Sequence, residues 1–137
     1  MSGRIIVHSL EHARAAVAAA AALDVPVTLV SAPGAGAYAG PRWFQAVVAE
    51  AAAACPAVAV DAVLDCGDVP GAVLAALRTG LKRVIFTGPE PARSRLAALA
   101  AARGATLEER MPALDLLDAR DPQAACRSYL PRAGTAG

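Results

Sequence analysis

Aromatic residues are scarce in this chain: two Phe, two Tyr and one Trp among 137 residues. A core of this size must therefore rest on Val, Leu, Ile and Ala, and alanine packs tightly while burying little area per residue. Lysine is scarcer still, with Lys82 alone. A Schiff-base mechanism needs a desolvated lysine inside the site. Lys82 precedes a predicted strand, at the end of the sheet away from the predicted site, so that chemistry is not expected. Cysteine occurs at positions 55, 66 and 126 without CxxC spacing, which argues against a disulfide framework and a Cys-rich zinc module. The net charge is +1 with 18% charged residues, and no face gathers Lys and Arg between aromatics, so no nucleic acid partner is expected. The apolar stretches are interrupted by Asp, Glu, Arg or Pro, so no membrane span or membrane partner is expected. The opening MSGRIIVHS has no signal-peptide layout, and the expected location is cytoplasmic.

What the chain does contain is one repeated unit, a short β-branched run followed by a longer alanine-rich run. The predicted strands cover 4–9, 25–31, 62–66, 83–87 and 105–108; they are nearly continuous apolar runs, as strands covered on both faces should be. The predicted helices cover 10–23, 41–54, 69–79 and 91–102, with a weaker C-terminal pair. Helical crossovers of this length join parallel strands. The expected fold is α/β, with about five parallel strands alternating with helices, either a partial, half TIM-barrel-like sheet or one opened into three layers. Residues 1–130 are expected to form a single domain and 131–137 a flexible tail. Ser9, Asp68 and Asp121 are suited to N-cap helices, Pro41 to open one, and Gly80 and Gly104 to end helices in a left-handed turn.

Ligands of parallel α/β proteins bind at the carboxyl ends of the strands. The groups expected there are His8 and Ser9, the loop SAPGAGAYAG at 31–40, the turn DCGD at 65–68, Thr87 to Glu90, and Glu108 to Arg110. The loop, through Ser31, Gly34 and Gly36, reads either as a backbone cradle for a phosphate or carboxylate or as a plain strand-to-helix connection. Its glycine spacing does not match the dinucleotide fingerprint. Thr87 and Gly88 are further ligand-binding candidates. Asp65 is a candidate general acid or base; its structural alternative is a strand-end carboxylate that accepts backbone N–H bonds. Cys66 is a candidate nucleophile or metal ligand, and most lone core cysteines are inert. A metal site would need partners, and His8 and Glu108 are the available ones. Of Trp43 and Phe44, one is expected to pack on the sheet and the other to be exposed.

Two stretches carry a further signal together: SLEHARAAVAAAAALDVPVTLVSAPGAGAYAG at 9–40 and VLDCGDVPGAVLAALRTGLKRVIFTGP at 63–89, followed by LAALAAARGATLEER at 96–110. In order and spacing this series resembles the front portion of class II fructose-bisphosphate and tagatose-bisphosphate aldolases, and it covers about five of their eight strand–helix units. The resemblance implies a (β/α)8-type fold, a divalent metal such as zinc, and aldol chemistry on ketose bisphosphates. In those enzymes the third strand ends in an Asp-His-Gly type of sequence, whose Asp exchanges protons and whose His binds zinc. Here Asp65 and Gly67 match, and Cys66 stands at the metal-ligand position. Ser31 matches a small hydroxyl residue that helps to position the substrate carbonyl. The Asn of the family's first strand falls on Ile6. Of two spaced acidic residues on the fifth strand, Glu108 matches the first, and Arg110 stands at the second. The remaining zinc histidines belong to later strands of the family.

The expected function is therefore that of a truncated aldolase-like protein. It binds a small phosphorylated or polyol ligand at the carboxyl ends of the strands, lacks full aldol-cleavage activity, and in one isolated chain is not expected to hold zinc. Two alternatives stand beside it. One is an enzyme with altered chemistry centred on Asp65, Cys66, Ser31 and Glu108. The other is a structural or regulatory protein that self-associates, as a homodimer for instance, through the half-barrel.

Overall fold

The computed structural model describes residues 2–135, with side chains through 132. The elements run β1 (Gly3–Val7), α1 (Leu10–Leu23), β2 (Val27–Ser31), α2 (Ala35–Tyr38), α3 (Pro41–Ala53), β3 (Val60–Asp65), α4 (Pro70–Arg78), β4 (Arg83–Ile85), α5 (Ala92–Ala102), β5 (Thr106–Glu108), β6 (Leu114–Asp115) and α6 (Pro122–Thr135). The sheet is open, with strand order β5-β4-β3-β2-β1-β6. From β1 to β5 each strand is the neighbour of the next in sequence, and β6 lies beside β1. The ladders β1–β6, β3–β4 and β4–β5 are parallel. The fold is thus α/β with a parallel sheet, as expected, but with six strands instead of about five.

The sixth strand has only two residues. It exists because β1 offers partners at Ile5 and Ile6 for Leu114 and Asp115, and Leu116 N–H donates to the Ile6 carbonyl at 3.1 Å. A two-residue strand has no alternation to read. The short helix α2 was also not expected, because its four residues lie inside the glycine-rich loop.

The chain divides into two compact units. The first comprises the residues up to 30, 46–61 and those from 112 on; the second comprises 31–45 and 62–111. In the first, α1 packs against α6 and β1. Its buried side is small, with Ala13, Ala16, Val17, Ala19 and Ala20 inaccessible, so a neighbouring helix can approach closely. Ser9 caps α1, its Oγ accepting from the His12 N–H at 3.1 Å. Asp121 caps α6 through the Ala124 N–H at 3.1 Å. α6 continues through Pro131 to Thr135, across part of the stretch expected as a tail; 136 and 137 lie outside the described residues.

In the second unit α4 packs with α2 and α5, and α5 packs on β5. Val63, Leu64, Val73, Val84, Ile85, Phe86 and Leu96 form its buried apolar set. Phe44 is fully buried and Trp43 is 37% exposed, the division expected of that pair. Gly80 and Gly104 take positive φ at the ends of their helices. Asp68 does not cap α4. Gly67 at φ +58° and a Val69 N–H···O=C Cys66 bond close a turn that carries Asp68 at its exposed tip. The cap position falls to Val69 without a side-chain bond, and Pro70, with no N–H to satisfy, opens the helix.

Candidate functional site

Asp65 ends β3 and is buried. Its side chain is 3% exposed. Oδ1 accepts the N–H of Gly67 at 2.8 Å and that of Gly34 at 3.1 Å. Arg110 grips the same carboxylate with both arms of its fork, Nε donating to Oδ2 at 2.8 Å and Nη2 to Oδ1 at 3.2 Å. Burying an isolated carboxylate is costly, and four donors are what make this one tolerable. The Asp65 N–H in turn donates to the buried Ser31 Oγ at 2.9 Å, and that hydroxyl donates to the Ala32 carbonyl at 3.1 Å. The loop and the turn are therefore tied together at one carboxylate.

The glycines serve this arrangement. Gly34 sits at φ +74°, a left-handed conformation that presents its N–H to Asp65. Gly36 allows a close approach, since a Cβ there would come within 2.8 Å of the Cys66 Sγ and 3.3 Å of the Asp65 carbonyl oxygen. Gly88 is buried against the Phe86 ring, which leaves no room for a Cβ there. Gly34, Gly36 and Gly88 are thus placed by packing and by the Asp65 bonds. Thr87 differs: its residue is exposed while its N–H donates to the Gly67 carbonyl at 2.8 Å.

Cys66 is wholly buried. Desolvation, reinforced by the neighbouring Asp65 carboxylate, pushes its thiol up to about 12, so it is a neutral thiol at physiological pH. Its Sγ faces the Leu64 carbonyl at 3.9 Å. Glu108 is held by Arg83, with Nε–Oε2 at 2.5 Å and Nη2–Oε1 at 3.2 Å. The residues at this place do not fit a zinc ion: the thiol is sealed and neutral, and both carboxylates are occupied by arginine. Among the described residues no group of three or more His, Cys, Asp and Glu could hold a metal ion.

His8 belongs to the first unit and has its own partners there. Its Nε2 lies 2.7 Å from the Asp115 Oδ1, and its backbone N–H donates to the His12 Nδ1 at 3.1 Å. The two imidazoles meet edge to face with centroids 5.7 Å apart. Burial and the neighbouring His8 lower the His12 pKa against opposing contributions from Glu11 and Asp115. The sequence reading missed Asp115 as a partner, and it missed both arginine clasps. For Arg110 a signal was available: a positive charge where the family resemblance has a negative one calls for a nearby carboxylate. Lys82 stands at the amino end of β4, its Nζ donating to the Arg103 carbonyl at 2.9 Å.

With the fold and these contacts in view, the chain can be compared with known proteins. No protein-family model matches it, and no curated protein does. Forty-two chains of solved structures match. One is a protein from Coccidioides immitis described provisionally as a fructose-1,6-biphosphate aldolase, with a TM-score of 0.61 and 23% identity. The match covers 79% of this chain and 45% of that one, so this chain spans less than half the length of that structure. The likeness is one of fold: a parallel α/β sheet similar to that of an aldolase-like protein. Among the described residues, no helix is long and apolar enough to cross a membrane.

Proposed function

We propose that this chain is an aldolase-like binding domain that takes a small phosphorylated or polyol ligand at the carboxyl ends of β3, β4 and β5 and does not perform aldol cleavage. The observation that carries this reading is the clasp of Arg110 on Asp65. A general acid or base must have a lone pair or a proton available to its substrate. Asp65 instead spends both oxygens on four internal donors, and the adjacent Cys66 is buried and neutral. Burial of the Cys66 thiol likewise speaks against thiolate chemistry at this position. Accessible at these strand ends, and suited to binding, are the exposed Thr87 and the half-exposed side chain of Arg110.

Calorimetry with dihydroxyacetone phosphate, hexose phosphates and small polyols tests the binding, and a coupled assay with fructose 1,6-bisphosphate, with and without added zinc, tests the chemistry. Heat of binding with no cleavage is the expected result. The absence of heat across the whole set removes the binding reading, and zinc-dependent cleavage removes the claim of lost chemistry.

A further inference from the structure

Resting on the binding reading above, we infer that Arg110 is the group that recognises the ligand's charge, and that the ligand carries a small anion with two oxygens side by side, a phosphate monoester or a carboxylate. A guanidinium has five N–H donors in one plane. Asp65 takes two of them, from Nε and Nη2. The other three have no partner among the described residues, and the Arg110 side chain is 49% exposed. Its inner edge is thus fixed by a buried carboxylate while its outer edge faces solvent.

Such an arginine is pre-oriented. The rotamer freedom that an arginine ordinarily loses when it grips an anion is already lost here, because the Asp65 clasp holds the fork in place. The Asp65 charge does not simply cancel that of Arg110, since the carboxylate also accepts the N–H groups of Gly34 and Gly67. The outer Nη edge therefore keeps positive character and two parallel donors, the geometry that matches paired oxygens.

The surroundings agree. β4 and β5 are in register at Ile85 and Glu108, so the residues just beyond them lie at adjacent strand ends. A second arginine, Arg93, is anchored at the β4 end, its Nη2 donating to the Phe86 carbonyl at 2.6 Å. Its Nη1 reaches only 3.9 Å toward Glu109, whose side chain is 78% exposed. Thr87, an exposed hydroxyl-bearing residue, stands at the same strand end.

The test is a set of titrations on the full chain with dihydroxyacetone phosphate, glycerate and the uncharged dihydroxyacetone, repeated with Arg110→Gln and Arg110→Lys. For the native chain, at least one anion should bind about tenfold or more tighter than dihydroxyacetone, the scale of one charge-assisted fork. Arg110→Gln should erase that gap. Arg110→Lys, which keeps the charge without the fork, should retain only part of it and guards against a folding failure of the glutamine variant. Which anion binds more tightly separates the phosphate from the carboxylate source. If dihydroxyacetone phosphate binds the native chain and both variants equally, the Arg110 assignment is overturned while the binding reading stands. If none of the three compounds binds the native chain, the binding reading fails and the assignment fails with it.

Discussion

Asp115 of the first unit and Asp65 of the second each stand at the end of a strand beside a nitrogen-bearing side chain, and the two pairs differ in almost everything else. In the second unit Asp65 is 3% exposed, is gripped by Arg110 and accepts two further backbone N–H groups. In the first unit Asp115 is 44% exposed, meets His8 at 2.7 Å and accepts the Leu117 N–H at 2.9 Å. A carboxylate that remains in water gains little from a partner. One removed from water depends on its partners and organises everything that touches it. The comparison explains why Ser31, Gly34, Gly67 and Arg110 form one constellation around Asp65, while the histidine pair is a local arrangement at the start of α1.

The largest effect should come from removing the buried carboxylate. Asp65→Ala leaves the N–H groups of Gly34 and Gly67 without their acceptor and is expected to cost about 3–5 kcal/mol in denaturant unfolding. Asp115→Ala should cost under about 1 kcal/mol. Equal losses at the two positions would break the comparison.

Next in size is Gly36→Ala. The new methyl would press on Cys66 and on the Asp65 carbonyl, with an expected cost of about 1–3 kcal/mol. In a double-mutant cycle with Cys66→Ala the two changes should couple, since the Sγ contact disappears. Independent, additive effects would place the strain elsewhere.

The thiols sharpen the same contrast between buried and exposed groups. Burial raises Cys66 to about 12 and Cys126 to about 11 from an ordinary 9.0. The folded state therefore holds these protons more tightly than the unfolded state does. Their contribution is intact below pH 9 and is lost as pH rises through 9 toward 11 and 12. Stability measured against pH should fall over that window. Native alkylation at pH 8 should modify the half-exposed Cys55 and spare the other two. Rapid modification of Cys66 would contradict its burial.

The smallest effect belongs to His12. Its pKa lies below 6.5 in the folded state, mainly through burial and then through His8, so the unfolded chain binds the proton more readily. Stability should hold above pH 6.5 and decline as pH falls through that value. Protonation would also remove the Nδ1 acceptor of the His8 N–H. His12→Gln should flatten this part of the profile, and an unchanged slope would assign the decline to another group.

Much of the fold was legible in the sequence because its causes are local. The alternation of apolar strands with alanine-rich helices, the Ser9 and Asp121 caps and the turns at Gly80 and Gly104 all rest on residues a few positions apart. The exceptions are instructive. β6 is a strand only because β1 lends it an edge. Asp68 is a plausible cap in isolation, but the turn at Gly67 carries it past the position where it would serve. At the candidate site the sequence could mark Asp65 and note the unexpected charge of Arg110. It could not show that these two residues, 45 positions apart, hold one another.

By itself, then, the sequence determined the parallel α/β class and the strand ends where a site should be sought, because hydrophobic period and capping chemistry act over one or two turns of chain. Only the tertiary structure decided what the residues at those ends do. It seals Cys66 beneath Gly36, ties Asp65 to Arg110 and turns the free edge of that arginine to solvent. Burial and long-range pairing set the charge, reach and cost of each group, and both arise only when distant segments are brought together.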